Sequence, residues 1–206
     1  MISMTRIPLI LLMLSSCSII SYGELPELAK GAILGVDIEV TKEFYDSQPY
    51  SFAKINIGKS IVATIILAKV QNGTYLWISA DGERIYTRDG KIIRTEGLNN
   101  DSKILNLIDL DRFSFANFHS TPTKARTIML QLSNPHAIVS QSFYIKEIGI
   151  DSSYFNSMLY EESFDSGRLA WKEINRYWVD PRGRVMKSEQ YIHPRLPKIT
   201  IEFFYK

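Results

Sequence analysis

From Pro49 onward, apolar and polar positions alternate in short runs broken by turn residues. Thr74 to Ser79 puts Tyr75 and Trp77 on one face and Leu76 and Ile78 on the other. Ile128, Leu130 and Leu132 alternate with polar or longer residues, and Ile199, Ile201, Phe203 and Tyr205 line one face of the last segment. A period of two is the mark of a β-strand. The runs predict strands over Ser51–Ile57, Ile61–Val70, Thr74–Ser79, Arg84–Thr87, Lys124–Ser133, Ala137–Ile150, Phe155–Phe164, Ala170–Val179, Val185–Ile192 and Lys198–Tyr205. Asn72-Gly73, Asp81-Gly82 and Asp89-Gly90 fall between such runs, and these dipeptides suit hairpin turns because both residues tolerate positive φ. The result is an antiparallel meander.

Helical signals are few. A turn of helix is expected around Glu24–Lys30 in a tether spanning Ser18–Gly35, and a second short helix over Val40–Tyr45. Asp101 or Ser102 could cap a third helix through Leu110, since Ile104, Leu105, Leu107 and Ile108 fall at helical spacing. Trp77 and Trp178 each stand five residues before a turn glycine, Gly82 and Gly183, with a β-branched residue next. This similarity suggests two related halves. The fold class expected is mainly β: antiparallel meanders in two similar β subdomains, residues 49–116 and 117–206, with short helices before and between them.

The amino terminus follows another pattern. Arg6 precedes the apolar run Ile7 to Leu14, and Ser15-Ser16-Cys17 follows. A basic start, an apolar stretch of about eight residues and small residues before a cut make a secretory signal, here residues 1–16. The run is well short of the roughly 20 residues of a transmembrane helix. Cys17 is the one cysteine of the chain, so it can make no internal disulfide. Leu14-Ser15-Ser16-Cys17 resembles the lipobox of bacterial lipoproteins. That resemblance implies cleavage before Cys17, a diacylated thiol, an acylated amine and a lipidated tether over residues 17–48. Ser18 rather than Asp after the cysteine implies, by the same resemblance, sorting to the inner leaflet of the outer membrane.

Composition narrows the classes. With 45% hydrophobic residues and a net charge of +2, the chain can bury a core and is not disordered. Basic and acidic residues balance at 24 against 22, which disfavours a nucleic-acid partner. Chemistry is sparse. His119, His136 and His193 stand in unrelated contexts with no metal-ligand spacing, so no metal and no cofactor are expected. Asp109/Asp111 and Glu161/Glu162 are acid pairs, but a glycosidase needs two carboxylates facing one cleft about 5–9 Å apart, which adjacency does not supply. The second pair fits the two faces of one strand. Aromatic residues are 12% of the chain; Trp77, Trp171 and Trp178 are the candidate glycan contacts, against the alternative that such rings form the core.

Several segments together resemble a known family. They are Pro49-Tyr50-Ser51-Phe52 through Gly58, Leu67-Ala68 through Gly82, Thr87 through Leu98, and Tyr177-Trp178-Val179-Asp180 with Ser188-Glu189-Gln190 and Pro194-Arg195-Leu196-Pro197. This pattern is similar to the GfcB/YjbF type of group 4 capsule and exopolysaccharide lipoprotein. Asn99 departs from it, standing where the family often has Pro after Gly-Leu. The resemblance implies a mostly antiparallel β-fold in two similar halves, in a periplasm-facing outer-membrane lipoprotein. It implies a non-enzymatic accessory role in capsule or exopolysaccharide formation or export, anchored to the membrane and working with other secretion proteins, with polysaccharide as a further partner. The alternatives are a polysaccharide-modifying enzyme and an assembly factor for an outer-membrane secretion barrel.

Overall fold

The computed structural model describes residues 39–59, 62–106, 115 and 126–206. Cys17, the helical turn at Glu24–Lys30, Asp109/Asp111 and His119 lie outside the described residues. A short helix, α1 (Lys42–Ser47), comes first, where Thr41 Oγ1 accepts the Phe44 N–H as its cap. Twelve strands follow among the described residues: β1 (Phe52–Ile57), β2 (Ala63–Gln71), β3 (Thr74–Ile78), β4 (Arg84–Arg88), β5 (Lys91–Glu96), β6 (Ser102–Ile104), β7 (Arg126–Leu132), β8 (Ala137–Asp151), β9 (Ser157–Asp165), β10 (Lys172–Val179), β11 (Val185–Gln190) and β12 (Ile199–Phe204).

Each strand pairs antiparallel with its sequence neighbour, and β12 returns to β1 to close a barrel. Phe52 stands opposite Phe204 and Ile57 opposite Ile199 along the closing seam. The antiparallel mainly-β reading is therefore right, but the two β subdomains expected are one sheet. β6 pairs with β7 across the expected division, Ser102 facing Leu132 and Ile104 facing Leu130.

The hairpin turns sit where the sequence places them. Asn72 and Gly73, and then Asp89 and Gly90, all have positive φ, the backbone of the tight primed turn. The expected helix from Asp101 is corrected over its first residues, because Ser102–Ile104 is strand β6. The Asp101 carboxylate turns back to accept the N–H groups of Gly97 (3.0 Å) and Leu98 (3.1 Å), so it caps a turn rather than a helix. Ser102 N–H donates to Thr95 Oγ1 at 3.1 Å, and Ile104 enters the core.

Alternation gives the barrel an inner face of Ile55, Ile65, Trp77, Ile85, Ile128, Phe143, Ile201 and Phe203, all buried. Side chains bridge the middle of the interior, leaving cavities of about 140 Å³ beside Ile55, Ile65 and Ile85 and about 270 Å³ beside Phe115, Met158 and Tyr160. Strands β5 and β11 lie diametrically opposite in the ring, yet they touch through it. Gln190 on β11 accepts the Ile92 N–H at 2.9 Å and donates to the Gly90 carbonyl at 2.8 Å, with Ser188 Oγ as its second acceptor. A Cβ on Gly90 would lie 2.5 Å from Val185 side-chain atoms, so only glycine fits against the opposite wall. Polar groups complete this strut. Glu162 on β9 pairs with Lys91 on β5 and accepts from Asn175 Nδ2 at 2.9 Å, while Asn175 Oδ1 accepts the Tyr191 N–H at 2.8 Å. Burial, and then the Glu162 charge, push the Tyr177 phenol well above its usual range, so it remains a donor to Gln190 Oε1.

The barrel has two ends. Strand polarity puts α1, the carboxyl terminus and the β2–β3, β4–β5, β8–β9 and β10–β11 turns at one, which we call the N-terminal end. The other, far end gathers the β5–β6, β7–β8 and β11–β12 connections around buried His193. Its Nε2 contacts the Ser133 carbonyl at 2.8 Å and its Nδ1 accepts the Arg195 N–H at 3.0 Å, which makes Nε2 the protonated nitrogen of a neutral ring.

Burial first, and then the Arg195 charge, hold His193 below its ordinary value despite the bond to Ser133. The unfolded ring takes a proton as pH falls through about 6.5, whereas the folded ring resists it until lower pH. Stability should thus fall progressively below about pH 6.5 and level off once the folded ring is also protonated. Urea melts between pH 7 and 5 should show this slope, and H193Q should flatten it. An unchanged slope in the variant would remove His193 as its source.

Candidate functional site

The three tryptophans are buried, with 0%, 8% and 7% of Trp77, Trp171 and Trp178 exposed. Trp77 points into the barrel, where Nε1 donates to Thr87 Oγ1 at 2.9 Å and the ring lies against Phe203 and Tyr75. Trp178 lies on the outer face. Its Nε1 donates to Asp151 Oδ2 at 2.7 Å, while Tyr154 covers its ring edge-on and the Lys187 ammonium sits 4.9 Å from its centroid. Trp171 packs edge-on against Phe164 at 4.8 Å. The two tryptophans of the apparent repeat therefore face opposite sides of the sheet, and none of the three offers an open ring face.

The remaining candidates are also dispersed. Glu161 and Glu162 occupy opposite faces of β9, Glu162 inside with Lys91 and Glu161 outside with Arg176 at 2.9 Å. Asp165 is held below the usual carboxylate range by its hydrogen bond to Lys172 and by the Gly167 N–H. His136 is exposed in the β7–β8 turn, far in character from the enclosed His193. Among the described residues, no group of three or more His, Cys, Asp or Glu side chains is placed to hold a metal ion.

What the fold does assemble is a shallow groove on the outer face of β7–β9, with a volume of about 650 Å³. Met129 and Ile138 form its apolar side, Ser140 and Ser142 its hydroxyl-bearing floor, and Tyr144 and Asp165 its other edge. The register explains the set. Ile138, Ser140, Ser142 and Tyr144 share the outward face of β8, and Met129 stands opposite Ser140 on β7. Across the sheet, Tyr144 faces Ser163, which faces Ile174 on β10. Ser142 Oγ and Thr127 Oγ1 lie 3.3 Å apart as a hydroxyl pair.

Hydroxyls that can donate or accept, one exposed phenol ring, the Asp165 carboxylate paired with Lys172 and flanking aliphatic surface form a polyhydroxyl-compatible face. Tyr144 was not among the candidates from sequence. The signal was present, however: a strand whose alternate residues are Ser, Ser, Tyr and Lys shows its outer face by their polarity.

This architecture defines a class: a closed antiparallel β-barrel bridged across its interior, with a groove on its outer wall. The chain belongs to the family described as group 4 capsule polysaccharide lipoprotein gfcB, YjbF, which matches residues 26–204. Among curated proteins, the uncharacterized lipoprotein YjbF of Escherichia coli (strain K12) is 23% identical over 193 residues, covering 89% of each chain. Among solved structures, the hypothetical lipoprotein YmcC of Escherichia coli (K12) superposes with a TM-score of 0.70 at 19% identity, covering 90% of this chain and 98% of that one. That likeness supports the fold. The chain is thus a capsule-family, membrane-anchored lipoprotein.

Proposed function

We propose that this lipoprotein is a non-enzymatic accessory factor of capsule or exopolysaccharide export. It is anchored through acylated Cys17 to the inner leaflet of the outer membrane and faces the periplasm beside other secretion proteins. The match to a capsule polysaccharide lipoprotein family over residues 26–204 is the observation that carries this reading. The bridged interior supports it, since the Gln190 strut and the Lys91–Glu162 pair cross the middle of the space in which another barrel would hold a ligand. In this reading polysaccharide runs along the outer groove, with Tyr144 stacking on sugar and Ser140 and Ser142 bonding its hydroxyls.

Deleting the protein should lower surface polysaccharide while lipid-linked precursors continue to be made, because the mature chain acts outside the cytoplasm. Undiminished surface polymer in the deletion strain would sink the export role. At the anchor, C17S should abolish fatty-acid labelling and leave an uncut precursor or a released form; equal labelling of the variant would refute acylation at this residue. At the groove, Y144A should weaken polymer binding by roughly 1 kcal/mol or more, about five- to tenfold, with the melting temperature retained. Pull-downs on the cell's own polysaccharide measure this, and unchanged retention by Y144A would remove the groove from the proposal.

A further inference from the structure

The β8–β9 hairpin ends in a turn built against local preference. Phe155 and Asn156 both have φ of +50°, and Ser157 N–H closes the turn onto the Tyr154 carbonyl at 3.0 Å. A bulky aromatic in the left-handed region is strained, and this one gains only an edge-on contact with Tyr154 at 5.1 Å, since 85% of it is exposed. Tyr154 beside it is pinned on Trp178 and lies under the Lys187 ammonium, so the turn is held and Phe155 projects from it. Ile150, 69% exposed, is the next most exposed large apolar residue of the described chain.

Both residues lie at the N-terminal end, where α1 joins β1 and the chain leads back towards its lipidated terminus. Exposed Val70 shares that end, as do the exposed basic residues Lys69, Arg182 and Arg184. Carboxylates share that end too: Asp151 bonds Trp178 and Ser153, Asp180 pairs with Arg184 and Asp46 with Lys42, while Glu43 and Asp89 are exposed. Exposed apolar tips at the end from which a membrane anchor leaves the barrel are a surface that a bilayer interface accepts.

We infer that the N-terminal end of the barrel rests on the phospholipid surface to which the chain is anchored, with Phe155 inserted among the acyl chains. The inference rests on the lipoprotein reading above. It orients the barrel end-on to the membrane, so that the groove beside Tyr144 runs up the outer wall, away from the bilayer.

The test uses the full acylated protein in vesicles of zwitterionic and anionic phospholipid. F155C and I138C each add one thiol to a chain whose own cysteine is acylated, and each is labelled with an environment-sensitive fluorophore. Ile138 is also exposed but lies at the far end. Lipids brominated in the acyl chain should quench the probe at 155 at least threefold more than the probe at 138. Equal quenching at the two sites, in protein that floats with the vesicles, would overturn the insertion while leaving the anchor in place. Protein that does not float would overturn the anchor and the inserted tip together. A signal at 155 that follows protein density rather than bromine would identify a second copy as the occupant and also overturn the proposal.

Discussion

K91M should destabilise the barrel by about 3–5 kcal/mol, because it leaves the Glu162 carboxylate inside the protein without its counter-charge. The Glu162 side chain is 3% exposed and that of Lys91 13%, and the ammonium also lies 4.6 Å from the Phe143 ring. Asn175 still donates to Glu162 in the variant, but one neutral hydrogen bond does not replace the ion pair. Adding E162Q to K91M should restore much of the stability, because the amide carries no charge that needs a partner. Urea melts of the single and double variants at pH 7 decide this. A single variant within 1 kcal/mol of the parent would mean that water reaches Glu162.

W77A should cost about 3–5 kcal/mol, the range for removing a large aromatic from a closed core. The ring is fully enclosed, touches Tyr75, Phe203 and Tyr205, and leaves Thr87 Oγ1 without its donor when removed. W178A should cost less, roughly 1–3 kcal/mol, because water can enter the gap left on an outer face. Tyr154 and Asp151 lose their partner there, but the barrel interior is untouched. Calorimetric melts of the two variants give the order, and a larger loss for W178A would contradict the opposite facing of the two rings.

That pair of tryptophans marks where the sequence stops being readable. Tyr75-Leu76-Trp77-Ile78 and Tyr177-Trp178-Val179 are unbroken apolar runs, and a run without polar residues has no parity to say which face turns inward. Asn72-Gly73 and Asp89-Gly90 announced their hairpins because the turn conformation itself requires residues tolerant of positive φ. The pairing of β12 with β1 has no such local signature. It joins the two ends of the fold, and its only trace is that both segments alternate. β6 was misread because Ile104 and Leu105 fit a helical spacing as well as a strand, and the short segment gives few repeats by which to choose. For the site, Trp content points to rings that neighbours cover, Trp77 and Trp171 in the core and Trp178 on the outer face under Tyr154. Tyr144 is visible only once β8 is known to turn its Ser140–Ser142 side to solvent.

The seam between β1 and β12 has a kinetic consequence. Because the closing strand is Ile199–Phe204, the ring cannot be completed until the chain through Phe204 has been made and released. Until then β1 and β11 each present an unpaired edge, the kind of surface that recruits other chains. The loop closed by that last pairing runs from Phe52 to Phe204, so of the twelve strand pairings it carries the largest chain-entropy cost of closure. Tethering through an amino-terminal lipid would then do more than fix an address, since it holds the unfinished ring on a surface while its last strand finds the first.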